Sequence, residues 1–312
     1  MRTEIQNIIN QNTTKTEKIR LLLELGIQRK EIADLVTNGN VGFVYNVYKK
    51  YFLENTITNH TVNFTPTVFN RKFGIEIEAY NVDIAILKQV LKSAGIKIEI
   101  EGYNHTTRDH WKIVSDASIQ GAKSFEIVSP ILEGENGIQQ IDIVCQVLEQ
   151  TGAKINKSCG LHIHFDASGF NLDTWKRIYK NYAKLENTID GFMPDSRRGN
   201  TNRYCKGFKN IQNFNNKINQ ASNLDEISRI FNRDRYFKIN PVSYSRHNTC
   251  EFRQHAGTTD FRKITRWIKF LHNMCEFSTT FEVSDTTLNG LNKFNQASIV
   301  EYYKYRTQNL AA

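Results

Sequence analysis

Carboxylates and imidazoles alternate with apolar residues in two separate segments of the chain. Glu76 and Glu78 stand in the run FGIEIEA, and His162 and His164 stand in CGLHIHFD. Because the side chains of a β-strand alternate between its two faces, each pair would share one face of a strand. A solvated strand face would explain the glutamates, and core packing would explain the histidines. The alternative is a site that binds a metal ion or a phosphate group.

Two further segments extend this pattern. In TCEFRQHA, Glu251 and Arg253 would share a face, for which a surface ion pair is the simple explanation. Asp116 follows a predicted strand in SDASI, and Glu126 lies inside another strand in FEIVSP. If one sheet holds all these strands, one of its faces collects five carboxylates, which repel one another unless cations are bound. Carboxylates with one or two histidines favour Mg²⁺ or Mn²⁺, and the nearby arginine favours a phosphate.

The four blocks occur in a fixed order over roughly residues 70–285: FGIEIE, SDASI with FEIVSP, CGLHIHFD and TCEFRQHAGT. In that order they resemble the glutamine synthetase and glutamate–cysteine ligase superfamily. Within it they look most like the amidoligases, carboxylate–amine ligases often found in phages and mobile elements. The resemblance implies a half-barrel sheet that binds ATP with several divalent ions. It also implies that ATP activates a carboxylate as an acyl phosphate, which an amine then attacks.

The resemblance assigns roles to individual residues. One set of carboxylates would hold the metal ion on the acceptor side: Glu78, Asp116 and Glu126. A second set would hold the metal ion on the nucleotide phosphates: Glu76, His162 and Glu251. Arg253 would contact the transferred γ-phosphate, and His164 would also face the phosphates. The spacing between Asp116 and Glu126 is longer than these ligases usually show, which departs from the family pattern.

The positive charge of the chain is concentrated in one region. The 312 residues carry a formal net charge of +9, whereas residues 192–270 alone carry +10. This distribution predicts an anionic ligand, such as a nucleotide or an acidic substrate, beside that region. Within its basic run SRRGNTNRYCKGFK, we select Arg203 as the contact for a substrate carboxylate or phosphate. A solvated surface loop is the alternative explanation.

Residues 16–53 have the spacing of three short helices, at 16–25, 29–36 and 41–53, after a polar stretch at 1–15 that predicts no regular structure. They resemble the helix-turn-helix segments of resolvases and phage regulators. The third helix would then expose the residues that contact DNA: Asn40, Phe43, Asn46, Lys49 and Lys50. Residues 1–60 carry a net charge of only +2, so the affinity for DNA would be modest. A protein-contact module is the alternative.

The remainder of the chain alternates strands with helices and predicts an α+β fold. We expect a mainly antiparallel, curved sheet with flanking helices, preceded by a small all-α domain. The predicted domains are a helix-turn-helix domain at 1–56, a linker at 57–70 and a catalytic domain at 71–312. No GxxxxGK[ST] or GxGxxG motif occurs, which argues against the P-loop and dinucleotide-binding folds.

The composition narrows the class of protein further. No apolar run approaches the length of a membrane span, and the five cysteines are widely spaced without a CxxC pair. We therefore expect a cytoplasmic protein with reduced thiols and no membrane partner. The leading interpretation is an ATP-dependent ligase with a carboxylate and an amine as substrates and with DNA as a candidate partner through residues 16–53. The alternatives are a metal-dependent hydrolase and a DNA-binding regulator whose ligase-like domain senses a nucleotide.

Overall fold

The computed structural model describes residues 2–25, 27–48, 50–51, 64, 68–102 and 104–310. The chain forms two compact units, the first from Met1–Asn63 with Gln296–Tyr302 and the second from Phe64–Asn295 with Tyr303–Ala312. The domain bounds expected from the sequence stay a prediction, and residues 57–63 and 65–67 of the expected linker lie outside the described residues.

Four helices of the first unit pack around a small apolar core: α1 (Arg2–Asn10), α2 (Lys15–Glu24), α3 (Arg29–Thr37) and α4 (Val41–Tyr48). Helix α1 corrects the expectation that residues 1–15 lack regular structure. Ile5 and Ile8, three positions apart, fall on one side of that helix and pack against the core. Helix α2 begins where the Thr14 hydroxyl accepts a hydrogen bond from the backbone N–H of Glu17.

The second unit is built on one sheet of six strands: β1 (Phe73–Ala79), β2 (Ile98–Ile100), β3 (Trp111–Val114), β4 (Phe125–Val128), β5 (Gly160–Asp166) and β6 (Thr249–Ala256). Their order across the sheet is β2-β3-β4-β1-β5-β6, and every pairing except β2 with β3 is antiparallel. The predicted α+β class with a mainly antiparallel sheet is therefore confirmed.

The expected half-barrel is wrong, because this sheet is open and uncurled. One edge strand, β2, has only three residues, which is too short to support the staggered pairing that curls a sheet toward closure. The other edge, β6, is bordered by residues 238–240, since the backbone N–H of Arg253 donates to the carbonyl of Lys238. That backbone contact occupies the outer side of β6.

Helices of the second unit leave one face of the sheet for polar side chains. They are α5 (Ile84–Ser93), α6 (Gly134–Gln150), α7 (Leu172–Gly191), α8 (Phe214–Gln220), α9 (Leu224–Ile230), α10 (Ser243–His247) and α11 (Phe261–Ser278). The last described helix, α12 (Ala297–Leu310), begins in the first unit and ends in the second. On the apolar face, the ring of Phe165 lies 6.2 Å from that of His272 in α11, and Phe252 lies 5.7 Å from Tyr182 in α7. None of the described helices is both long and apolar enough to cross a bilayer.

Candidate active site

Strand register brings the predicted ligands to one face of the sheet. Glu76 of β1 lies directly opposite His162 of β5, and Glu78 lies opposite Glu126 of β4. On the next pairing, His164 lies opposite Glu251 of β6. Directly paired residues of neighbouring strands point to the same side, so the alternation in the sequence becomes a continuous polar surface.

Glu76 is the centre of this surface. One of its carboxylate oxygens lies 2.8 Å from Nδ1 of His162, and the other lies 3.3 Å from Nε2 of His164. Burial by itself raises the pKa of Glu76, but the two imidazoles outweigh that effect and hold the pKa well below its usual range. Glu76 is therefore an anion at neutral pH, with its two oxygens directed at different imidazoles.

Glu251 is a second buried anion. Burial would raise its pKa, but the charges of Arg253 and His164 lower it to about 2. Its carboxylate accepts hydrogen bonds from the guanidinium of Arg253 and, at 2.6 Å, from the side-chain amide of Asn240. The two neighbours leave Glu251 charged and oriented toward the face that carries the histidines.

Glu126 has the opposite electrostatic environment. Burial raises its pKa well above the usual range, and the negative charges of Glu76, Glu78 and Asp116 raise it further. Asp116 is half-buried, and its carboxylate accepts the backbone N–H of Ser118 at 2.6 Å. Burial and the neighbouring negative charges thus destabilise the ionised form of Glu126. A cation bound nearby would stabilise that form.

Among the residues that the structure describes, two groups of three side chains offer metal-ligating atoms that lie within 4.8 Å of one another. The first group is Glu76, His162 and Glu251, the same three residues that the family resemblance assigns to the metal ion on the nucleotide phosphates. The second is Glu78, Glu126 and His162, in which His162 stands where Asp116 was expected. Their carboxylate-rich donor sets fit Mg²⁺ or Mn²⁺. In addition, Nε2 of His164 is buried between the two anions of the first group, 3.3 Å from Glu76 and 3.9 Å from Glu251.

These side chains line a cavity of about 890 Å³ that also receives Asp116 and Arg253. Arg203 is exposed and does not line it; its guanidinium lies 4.7 Å from the ring centre of Tyr204. Several basic residues that strand alternation did not indicate do line it: Arg197, Arg235, Arg246 and His247. Only the local excess of positive charge signalled the three arginines, and charge alone does not distinguish one arginine from another.

The residues expected to contact DNA belong to the first unit. The side chains of Asn40, Phe43, Asn46 and Lys50 are exposed, whereas Lys49 lies outside the described residues. The side-chain oxygen of Asn40 accepts the backbone N–H of Phe43 at 2.9 Å, which caps the start of α4. DNA contact by this helix stays a prediction.

Comparison with known families bears on the second unit. The family model described as "Putative amidoligase enzyme" matches residues 69–275, which is more than half of the chain. The chain belongs to this amidoligase family. The matched range contains all six strands and both groups of candidate metal ligands of this amidoligase, but it does not include α1 to α4. No curated protein matches the chain.

Gly160 is a position where the site leaves no room for a side chain. A Cβ on Gly160 would lie 2.9 Å from Nε2 of His162, the residue common to both ligand groups. We expect Gly160→Ala to displace that imidazole and to weaken Mn²⁺ binding about tenfold. Gly169→Ala is the control, because no atom lies within 4 Å of its Cβ position. Calorimetric titration with Mn²⁺ measures the difference, and equal affinities in the two variants would contradict the assignment of His162.

Proposed function

We propose that this protein is an ATP-dependent carboxylate–amine ligase of the glutamine synthetase superfamily that works through an acyl phosphate. The observation that carries the proposal is the pair of ligand groups that share His162 on one sheet face, with Arg253 beside Glu251. A site that handles a triphosphate needs charge neutralisation and an arginine within the same cavity. The amidoligase family match supports the same reaction class.

Two metal ions would be held by different ends of this surface. Glu76, His162 and Glu251 would hold the ion on the nucleotide phosphates, and Glu78 with Glu126 would hold the ion on the acceptor side. Asp116 lines the same cavity and contributes to the negative charge around Glu126. When bound, Mg²⁺ or Mn²⁺ supplies neutralisation of the phosphate charge.

The protein side chains then have separate tasks. Arg253 is almost fully buried and is held by Glu251, so its guanidinium is preorganised to stabilise negative charge on a transferred phosphoryl group. His164 is held by a hydrogen bond of 3.0 Å between its Nδ1 and the hydroxyl of Thr249, which leaves Nε2 on the side of Glu76 and Glu251. Formation of an amide from a free carboxylate is uphill in water, and phosphorylation of that carboxylate supplies the driving force.

Turnover assays separate this proposal from its alternatives. Purified protein is incubated with ATP, Mg²⁺ and a panel of acid–amine pairs, while ADP, phosphate and amide products are measured. Release of ADP that requires an amine supports the ligase, and Glu251→Ala should abolish it. Glu149→Gln, an exposed change on α6, is the matched control. Metal-dependent cleavage without ATP would favour a hydrolase, and nucleotide binding without turnover would favour a regulator.

We also propose that the first unit directs the ligase to DNA or to a nucleic-acid-linked substrate. Helix α4 exposes an aromatic side chain at Phe43, an amide at Asn46 and, just beyond its end, a cation at Lys50. Because residues 1–60 carry a net charge of only +2, their binding to DNA should be weak, and the affinity should fall as the salt concentration rises. Gel-shift assays at several salt concentrations, with and without residues 1–60, test this; no shift at low salt would rule it out.

A further inference from the structure

Arg197 is a buried cation in the wall of the active-site cavity. It is the last residue of a short 3-10 helix, Asp195–Arg197, and only 3% of its surface is accessible to solvent. It comes from the same basic segment as Arg203, which is exposed and does not line the cavity. Neither strand alternation nor a metal-ligand pattern singles out Arg197 in the sequence.

The guanidinium of Arg197 lies over Gly160, on the face of β5 that carries His162. A Cβ on Gly160 would lie 3.4 Å from both terminal nitrogens of Arg197 and 2.9 Å from Nε2 of His162. The backbone N–H of Gly160 donates to Glu78 at 2.6 Å. Arg197 therefore stands beside the Glu78, Glu126 and His162 group.

The hydrogen-bond partners of Arg197 in the described part of the chain are all uncharged. Its terminal nitrogens face the carbonyl oxygens of Cys159 and Ser158, and the sulfur of Cys205 at 3.9 Å. Its Nε is buried and makes no hydrogen bond to any described residue. A guanidinium has five donors, so this environment leaves part of its donor capacity unused.

Two other buried cations of the second unit have carboxylate partners, whereas the buried Lys112 donates only to uncharged oxygens of Asn104 and Thr106. Arg253 is paired with Glu251, and Lys238 lies 2.8 Å from Glu186 and 2.6 Å from Asp190. Burial of a charge is costly unless an opposite charge compensates it. A guanidinium stays charged when it is buried, and Arg197 lines the cavity with only uncharged partners among the described residues, so its counter-anion is expected from a ligand there.

A network of buried hydrogen bonds fixes the backbone of Arg197. The side-chain amide of Gln254 donates to the carbonyl oxygen of Arg197 at 3.1 Å and to Asp190 at 2.6 Å. Gln254 in turn accepts a hydrogen bond of 2.6 Å from the hydroxyl of Tyr182, and Asp190 is paired with Lys238. Gln254 thus fixes the backbone of Arg197, and the carbonyl oxygens of Cys159 and Ser158 fix its guanidinium, which therefore loses little freedom when an anion binds.

We propose that Arg197 binds a carboxylate of the acid substrate at the Glu78 end of the cavity. The proposal rests on the ligase function, and it specifies that the acid is recognised by Arg197 and not by Arg253. A planar guanidinium with free donors suits a carboxylate, which it can bind through two parallel hydrogen bonds. A nucleotide phosphate has related chemistry, so the test separates the two sources.

The binding test uses carboxylate anions and a non-hydrolysable ATP analogue in separate arms, both with Mg²⁺. Acetate, succinate and glutarate, with chloride at equal ionic strength as reference, should raise the melting temperature of the wild-type protein. Arg197→Gln should lose that rise and retain its affinity for the ATP analogue. Arg197→Lys, which keeps the charge, should bind the carboxylate about tenfold more weakly than wild type. Lys209→Gln removes one exposed charge from the same segment and is the matched control.

Each outcome decides the proposal. Weaker binding of the ATP analogue by Arg197→Gln, with carboxylate binding intact, would assign Arg197 to a phosphate and overturn it. The proposal also fails if the carboxylates do not raise the melting temperature of the wild-type protein, or if they raise that of Arg197→Gln equally. If Arg197→Gln does not fold, the comparison of Arg197→Lys with Lys209→Gln decides. A different result is that the protein binds carboxylates through Arg197 and yet releases no ADP in response to an amine. That result would contradict the ligase function and leave the role of Arg197 in carboxylate binding intact.

Discussion

Arg253→Gln should lower ATP turnover about 10³-fold while the KM for ATP changes much less. Arg253 is buried, is paired with Glu251, and lies with its guanidinium carbon 5.8 Å from the ring centre of Tyr236. It is therefore fixed before any ligand arrives. A group that stabilises the charge developing during phosphoryl transfer acts on kcat more than on substrate binding. A large fall in kcat with a small change in KM would therefore identify Arg253 as such a group.

The Arg253 measurement needs two controls, because removal of Arg253 also leaves Glu251 without its cation. Arg253→Lys keeps a positive charge but not the planar geometry, so we expect it to fold and still to lose most of the turnover. Arg262→Gln, an exposed change on α11, should have normal activity. Turnover close to that of wild type in a folded Arg253→Gln variant would show that the phosphate assignment is wrong.

Glu126→Gln should have opposite effects on the protein without metal and on the protein with metal. Without metal, Glu126 is crowded by Glu76, Glu78 and Asp116, so a neutral amide should raise the melting temperature. With Mn²⁺, loss of one carboxylate ligand should lower the affinity about 100-fold and reduce the stabilisation by the metal. Thermal unfolding in a chelator and in Mn²⁺ measures both effects, and a change of the same sign in both conditions would contradict the site.

The pH dependence of the metal-free protein gives the same test a second signature. The pKa of Glu126 is raised in the folded state above the 4.5 of the unfolded state, so between those two values only the folded state holds the proton. The contribution of that proton to the free energy of unfolding is fully present below pH 4.5. As the pH rises from 4.5 to the pKa of the folded state, this contribution falls by about 1.4 kcal/mol per pH unit. Glu126→Gln lacks this loss, so its advantage over wild type should grow as the pH rises above 4.5.

Local pattern predicted most elements of the second unit. Period-two alternation placed the strands that became β1, β5 and β6, because a half-polar strand has to alternate its side chains. If one sheet held these strands, the same alternation would collect their carboxylates and histidines on one face, and the family resemblance grouped Glu76, His162 and Glu251, which the structure brings together. Helix α1 was missed because its apolar side is short and its flanking residues are polar.

Alternation along single strands did not reveal which residues from different strands would meet. His162 lies close to both Glu76 and Glu78, so it joins both ligand groups, whereas Asp116 falls outside the second group. The sheet also stays open instead of forming the half-barrel that the family resemblance implied. These outcomes depend on register and on edge pairing, which are interactions between segments distant in the chain.

The sequence by itself determined the α+β class, the polar strand faces, the amidoligase resemblance and the region of excess positive charge. Only the tertiary structure decided which cation belongs to the cavity. Arg197 and Arg203 have the same chemistry six positions apart, yet one is buried over Gly160 and the other is exposed beside Tyr204. The difference arises because Gln254 and the carbonyl of Cys159 hold Arg197 in place, and those contacts come from β6 and from the residue that precedes β5.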